Sequence, residues 1–138
     1  MIGLDTNVLV RYLAQDDRRQ ALLANRVIEA ECTAEEPGFI SHVVLCELTW
    51  VLKGSYKTSK PLIVKALRQL LETKQLTTQE PQVIWQALAF YEHTNVDFAD
   101  AVMVVINGLH GCSKTVTFDR LYAKLPNVVD LGAQDSIR

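Results

Sequence analysis

Cysteine is scarce in this chain: among 138 residues only Cys32, Cys46 and Cys112 carry thiols, and no two form a C-x-x-C pair. An odd, scattered set excludes a disulfide framework and points to a reducing, cytoplasmic compartment. Histidine is also sparse. His42, His93 and His110 lack ligand spacing, which argues against a Cys/His zinc site. Positive charge is not in excess either. Lys and Arg number 14 against 16 Asp and Glu, a net charge of −2, so bulk charge does not make this a nucleic-acid-coating protein. Long apolar runs are missing. The stretch from Ala101 to Ile106 is far too short to span a bilayer. Met1 leads through Ile2-Gly3-Leu4 to Asp5 without the basic and long apolar regions of a secretory signal. The expectation is a soluble cytoplasmic protein with no membrane partner.

What is present is apolar mass. Hydrophobic residues make up 49% of the chain, enough for a core without a disulfide or metal staple. Ile2–Leu4 reads as a buried strand stopping at Asp5, followed by a helix with Val8, Leu9, Tyr12 and Leu13 inside and Thr6 or Asn7 as its cap. A second helix spans Arg18–Cys32, with Leu23, Ala24, Val27 and Ile28 on one side. Glu35-Glu36-Pro37-Gly38 marks a turn and Phe39-Ile40 a strand. Ser41 caps a helix with Leu45, Leu48 and Leu52 on its apolar stripe, ended by Gly54. Leu62, Ile63, Ala66, Leu67, Leu70 and Leu71 give a further helix. Leu76-Thr77-Thr78 suggests a strand, and Pro81 opens the helix carrying Val83, Ile84, Ala87, Leu88 and Tyr91. From Asp97 to His110 most of the helix circumference is apolar, so deep burial is expected. Thr115-Val116-Thr117-Phe118 and Val128-Val129-Asp130-Leu131 complete the strands. Short strands separated by helices predict one α/β domain over 1–138, its central parallel sheet of about four or five short strands flanked by helices on both faces. No repeat, low-complexity tract or linker interrupts it.

Parallel sheets bind ligands outside the carboxyl ends of their strands. Asp5 follows the first strand, and Glu47 lies in the second turn of the helix after the second strand. Asp100 lies in the first turn of the late helix, and Asp119 follows the strand ending at Phe118. Four carboxylates at one edge would repel one another unless a cation sits among them, and a hard divalent ion with oxygen ligands is the natural one. Such an ion polarises a phosphoryl oxygen and favours a hydroxide-like nucleophile. Each acid also has a plainer reading. Asp5 can cap the first helix, Glu47 can be a solvated outer residue, Asp97 and Asp100 can favour the helix dipole, and Asp119 can cap a helix through Arg120 and Leu121. The assignment made here is Asp97 to capping and Asp100 to metal. Arg11, Lys53, Lys57, Lys114 and Arg120 are candidate phosphate contacts, each with surface charge as the plainer alternative.

Leu4-Asp5-Thr6-Asn7-Val8-Leu9, Glu47-Leu48-Thr49-Trp50, Asp97-Phe98-Ala99-Asp100-Ala101 and Thr117-Phe118-Asp119, in that order, resemble the PIN-domain ribonucleases, and among them the VapC toxins of toxin–antitoxin pairs. The resemblance covers essentially the whole chain. It implies a catalytic quartet of Asp5, Glu47, Asp100 and Asp119, with Asp5 and Asp100 directly on Mg²⁺ (Mn²⁺ as substitute) and Glu47 and Asp119 bound directly or through water. Thr6, Asn7 and Thr117 match supporting positions. It further implies endoribonuclease activity on an RNA substrate, a homodimer and a cognate antitoxin protein. Rival readings are a strand-end-aspartate phosphatase, which wants a second aspartate where Asn7 stands, and a receiver domain, which wants an aspartate after Leu76-Thr77-Thr78-Gln79. A third is a catalytically inactive RNA-binding or scaffold domain of the same fold.

Overall fold

The computed structural model describes residues 1–135 and divides into two compact units, Met1–Pro81 and Gln82 onward. In the first unit, β1 (Ile2–Gly3), β2 (Gly38–Ile40) and β3 (Leu76–Thr78) form a parallel sheet in the order β1-β2-β3. Ile2 pairs with Gly38, Gly38 with Leu76 and Ile40 with Thr78. Helices α1 (Thr6–Ala14), α2 (Arg18–Arg26), α3 (His42–Gly54) and α4 (Lys60–Glu72) connect and cover these strands, α2 running on into a π-helical turn over Val27–Glu31. In the second unit, α5 (begun at Pro81 and ending at His93) and α6 (Phe98–Leu109) lead into β4 (Thr115–Thr117). A 3₁₀ turn (Tyr122–Lys124), β5 (Val128–Asp130) and the short α7 (Leu131–Asp135) follow. β4 and β5 pair in parallel, Thr115 with Val128 and Thr117 with Asp130.

The α/β class and the parallel pairing match the sequence reading. The strands differ in being shared between a three-stranded and a two-stranded sheet rather than joined in one central sheet. Strands of two or three residues carry no pattern that tells which partner each will take.

Local signals explain most boundaries. Ser41 Oγ accepts from the Val44 N–H at 3.3 Å, starting α3, whose Leu45, Leu48 and Leu52 are all buried. Ser41→Ala is expected to lower stability by about 1 kcal/mol, the usual worth of such a cap, as read by urea unfolding. An unchanged midpoint would show that the loop, not the hydroxyl, starts the helix. Gly38 sits in the middle strand because a Cβ there would meet Leu4 Cδ1 at 2.8 Å and Cys32 Sγ at 3.0 Å. Gly111 follows α6 with φ of +87°, a conformation that stops a helix cheaply only with glycine.

Three faces differ from expectation. Leu23 is 47% exposed, because α2 turns Ala21, Ala24 and Ile28 inward instead. Leu62, at the start of α4, is exposed while Ile63, Val64, Leu67 and Leu70 are buried. α6 buries Phe98, Ala101, Val102 and Val105 but leaves Met103 and Leu109 exposed, so it is a half-buried helix rather than one enclosed all round.

Candidate active site

In the first unit, β1 ends just before Asp5, which takes the N-cap position of α1. Its backbone carbonyl accepts from the Val8 N–H at 3.1 Å, yet its carboxylate makes no capping hydrogen bond. The side chain is exposed, so the plain capping role does not account for it. The next residue, Thr6, is buried and its hydroxyl donates to Glu47 Oε1 at 2.8 Å. α1 and α3 are thereby tied at the point where each carries an exposed acid. One oxygen of Glu47 is oriented by Thr6, and Oε2 takes no part in that bond. Thr6→Val, a near-isosteric change, removes one charge-assisted bond worth about 1.5 kcal/mol. It is expected to lower the melting temperature by a few degrees, as read by thermal unfolding. An unchanged melting temperature would show that the bond adds nothing to the tie between α1 and α3. Asn7, the third N-terminal candidate, is exposed on the first turn of α1.

In the second unit, α6 presents Asp100 in its first turn, half-buried. Burial raises its pKa, and the negative charges of Asp97 and then Asp119 raise it further. Asp97 stands at the N-cap position, but its side chain makes no capping hydrogen bond, which corrects the assignment drawn from spacing. An acid three residues before another can serve the cap or the site; here its charge is felt by Asp100 and by Tyr91.

Asp119, by contrast, does cap. Its Oδ1 accepts from the Leu121 N–H at 2.8 Å and the Tyr122 N–H at 3.3 Å, capping the 3₁₀ turn. Its own N–H donates to Thr117 Oγ1 at 3.0 Å, so Thr117 fixes the acid's backbone. Oδ2 takes no part in the cap.

Tyr122 is a residue the sequence did not single out. It is 7% exposed, its hydroxyl is buried with no hydrogen-bond partner among the described residues, and burial together with the charge of Asp100 raises its pKa. Its place three residues after Asp119 was the only available signal.

The basic candidates separate. Arg11 Nε donates to Gln20 Oε1 at 2.6 Å, and its Nη1 donates to Tyr56 Oη at 3.2 Å and Asp16 Oδ1 at 3.3 Å. Tyr56 in turn donates to Asp16 Oδ2 at 2.8 Å, so Arg11 belongs to a network joining α1, α2 and the end of α3. Lys53, Lys57, Lys114 and Arg120 are exposed.

A hard cation suits this donor set. The site residues are carboxylates, Asp100 is charge-crowded with nothing offsetting it, and the Tyr122 hydroxyl beside it lacks a partner that a hydrated ion could provide. Among the described residues, no three His, Cys, Asp or Glu side chains gather closely enough to hold a metal ion.

The PIN-domain family model matches residues 2–128. This chain belongs to the PIN-domain family. No curated protein matches it, and neither does any solved structure. PIN domains are generally nucleases that act on nucleic acid and use divalent metal ions, and the family match spans all four acids as well as Thr6 and Thr117. No helix among the described residues is long and apolar enough to cross a membrane.

Proposed function

We propose that this PIN domain is a Mg²⁺-dependent endoribonuclease, the toxin of a VapC-type toxin–antitoxin pair, acting in the cytoplasm on single-stranded RNA. The observation carrying the reading is that burial, and then the charges of Asp97 and Asp119, raise the pKa of Asp100 in a chain whose family generally cuts nucleic acid. A carboxylate held at raised energy by its neighbours is one that a divalent cation stabilises strongly.

Asp5 and Asp100 would hold the ion directly, with Glu47 and Asp119 completing the set directly or through water. Bound there, Mg²⁺ supplies Lewis-acid polarisation of the phosphoryl oxygen and acidifies water. The chain's own groups do the rest. Thr6 holds Glu47 Oε1, leaving Oε2 to take the proton of the attacking water. Asp119 is held by its turn through Oδ1, and its Oδ2, outside the cap, would face the ion. Its backbone is set by Thr117. Inhibition by a cognate antitoxin and assembly as a homodimer follow from family likeness and belong to the same proposal.

The test is cleavage of single-stranded RNA by the purified protein. Cleavage is expected with Mg²⁺ or Mn²⁺, none with EDTA, and none for Asp5→Asn although that variant folds. Cleavage persisting in EDTA, or an active Asp5→Asn, would overturn the mechanism. A second reading, an inactive RNA-binding or scaffold domain, is favoured by one observation: no group of three possible metal ligands gathers among the described residues. Calorimetric titration separates the two, since an inactive scaffold would take up neither Mg²⁺ nor Mn²⁺.

A further inference from the structure

β4 is built inside out. Thr115-Val116-Thr117-Phe118 alternates, and in a strand lying on a core the apolar members ordinarily turn inward. Here the hydroxyls are turned in and used. Asn107 Nδ2 donates to Thr115 Oγ1 at 2.9 Å, and Thr117 Oγ1 accepts from the Asp119 N–H. Thr115 and Thr117 are half-buried, whereas Lys114, Val116 and Phe118 are all exposed. Phe118, at 79%, is the most exposed large hydrophobic side chain among the described residues, and Val116 is 51% exposed. A scattered exposed apolar residue needs no account. A whole strand face inverted immediately before a site carboxylate does.

We propose that the outward face of β4 is a track for single-stranded nucleic acid, in which the Phe118 ring stacks on a nucleobase beside the phosphate addressed by Asp119 and Lys114 and Arg120 contact neighbouring phosphates. The inference rests on the nuclease reading and names how the same site holds its substrate. Lys114 and Phe118 flank β4 on either side, a cation before the strand and a ring after it, about 13 Å apart if the chain stays extended between them. Arg120 follows two residues on. Both cations are exposed, and neither forms an ion pair among the described residues. An apolar protein partner would have to desolvate these charges, while a polyanion uses them. The backbone that carries Phe118 is fixed: hydrogen bonds tie its neighbour Asp119 to Thr117, Leu121 and Tyr122. Every base offers a π-face, so such a platform tolerates sequence, but a duplex keeps its base faces stacked and hidden.

Binding tests this without relying on cleavage. In the Asp100→Asn background, fluorescence anisotropy with a short single-stranded oligoribonucleotide is expected to show Kd rising about tenfold or more for Phe118→Ala and holding for Phe118→Trp. Lys114→Ala and Arg120→Ala should each flatten the salt dependence by about one phosphate contact. A blunt duplex of the same sequence should bind the Phe118 variants equally. An unchanged single-strand Kd for Phe118→Ala overturns the proposal, as does absence of single-strand binding. So would light scattering showing that Phe118→Ala breaks a dimer while RNA affinity holds, which would make the strip a protein interface. Failure of the nuclease reading shows separately, as wild-type protein that binds RNA but does not cut it with any divalent ion.

Discussion

Asp100→Asn is expected to abolish metal-dependent cleavage while making the metal-free protein more stable at neutral pH. Loss of one electrostatic group aimed at a reacting centre typically costs on the order of a hundred- to a thousandfold in turnover, and loss of a direct metal contact is at least as severe. The stability effect has the opposite sign because the folded state pushes this carboxyl's pKa up through burial, Asp97 and Asp119. The folded chain therefore holds the proton more tightly than the unfolded chain does. Stability falls as pH rises from the ordinary aspartate range through the raised value. Asparagine removes that loss, so the variant's advantage is greatest at neutral pH and vanishes below the ordinary aspartate range. A divalent cation should reverse the ranking by stabilising only the wild type, by RT ln(1 + [L]/Kd). Melting curves across pH, with and without Mg²⁺, give all four comparisons. A variant less stable than wild type at neutral pH without metal would show that Asp100 is a structural acid.

The second large effect lies beneath the same helix. Phe98 opens α6 fully buried and meets Tyr91 of α5 edge-on, with ring centroids 5.8 Å apart and planes at 86°. Phe98→Ala removes that contact and leaves a cavity, at an expected cost of about 3–5 kcal/mol. Total stabilities of about 5–15 kcal/mol are usual for such a domain. Much of the fold's margin should therefore be lost, and urea unfolding should show a markedly lower midpoint with an unchanged slope. Phe98→Leu, which keeps most of the volume, should lose less. A cost below about 1 kcal/mol for the alanine variant would mean that the start of α6 is loosely packed, and Asp100 would then have no firm base.

The sequence made the helices legible wherever a chemical signal and a periodic one coincide. Ser41 before Leu45, Leu48 and Leu52, and Pro81 before Val83, Ile84, Ala87 and Leu88, each placed a helix start and its buried face. Periodicity alone did less well. It cannot say which neighbour will cover a given apolar residue, so Leu23, Leu62 and Leu109 read as core and are exposed. The division of strands between two sheets was not legible either, because backbone pairing leaves no mark on two- or three-residue segments.

At the candidate site, the four acids could be picked out by position and by likeness to the family. Their individual work could not. Asp5 and Asp97 occupy N-cap positions without capping, whereas Asp119 does cap, with one oxygen. Nothing in residue order distinguishes these cases, since each depends on a side-chain rotamer. The inversion of β4 was hidden for a related reason. Alternation tells that two faces differ, and only the hydrogen bonds made by Thr115 and Thr117 decide which one turns inward.

The central proposal is that Asp5 and Asp100 hold one divalent ion. Anomalous diffraction from crystals grown with Mn²⁺ tests it most directly. A single manganese peak with Asp5 and Asp100 oxygens both in its coordination sphere is the expected result; two carboxylates too far apart to share any peak would contradict it.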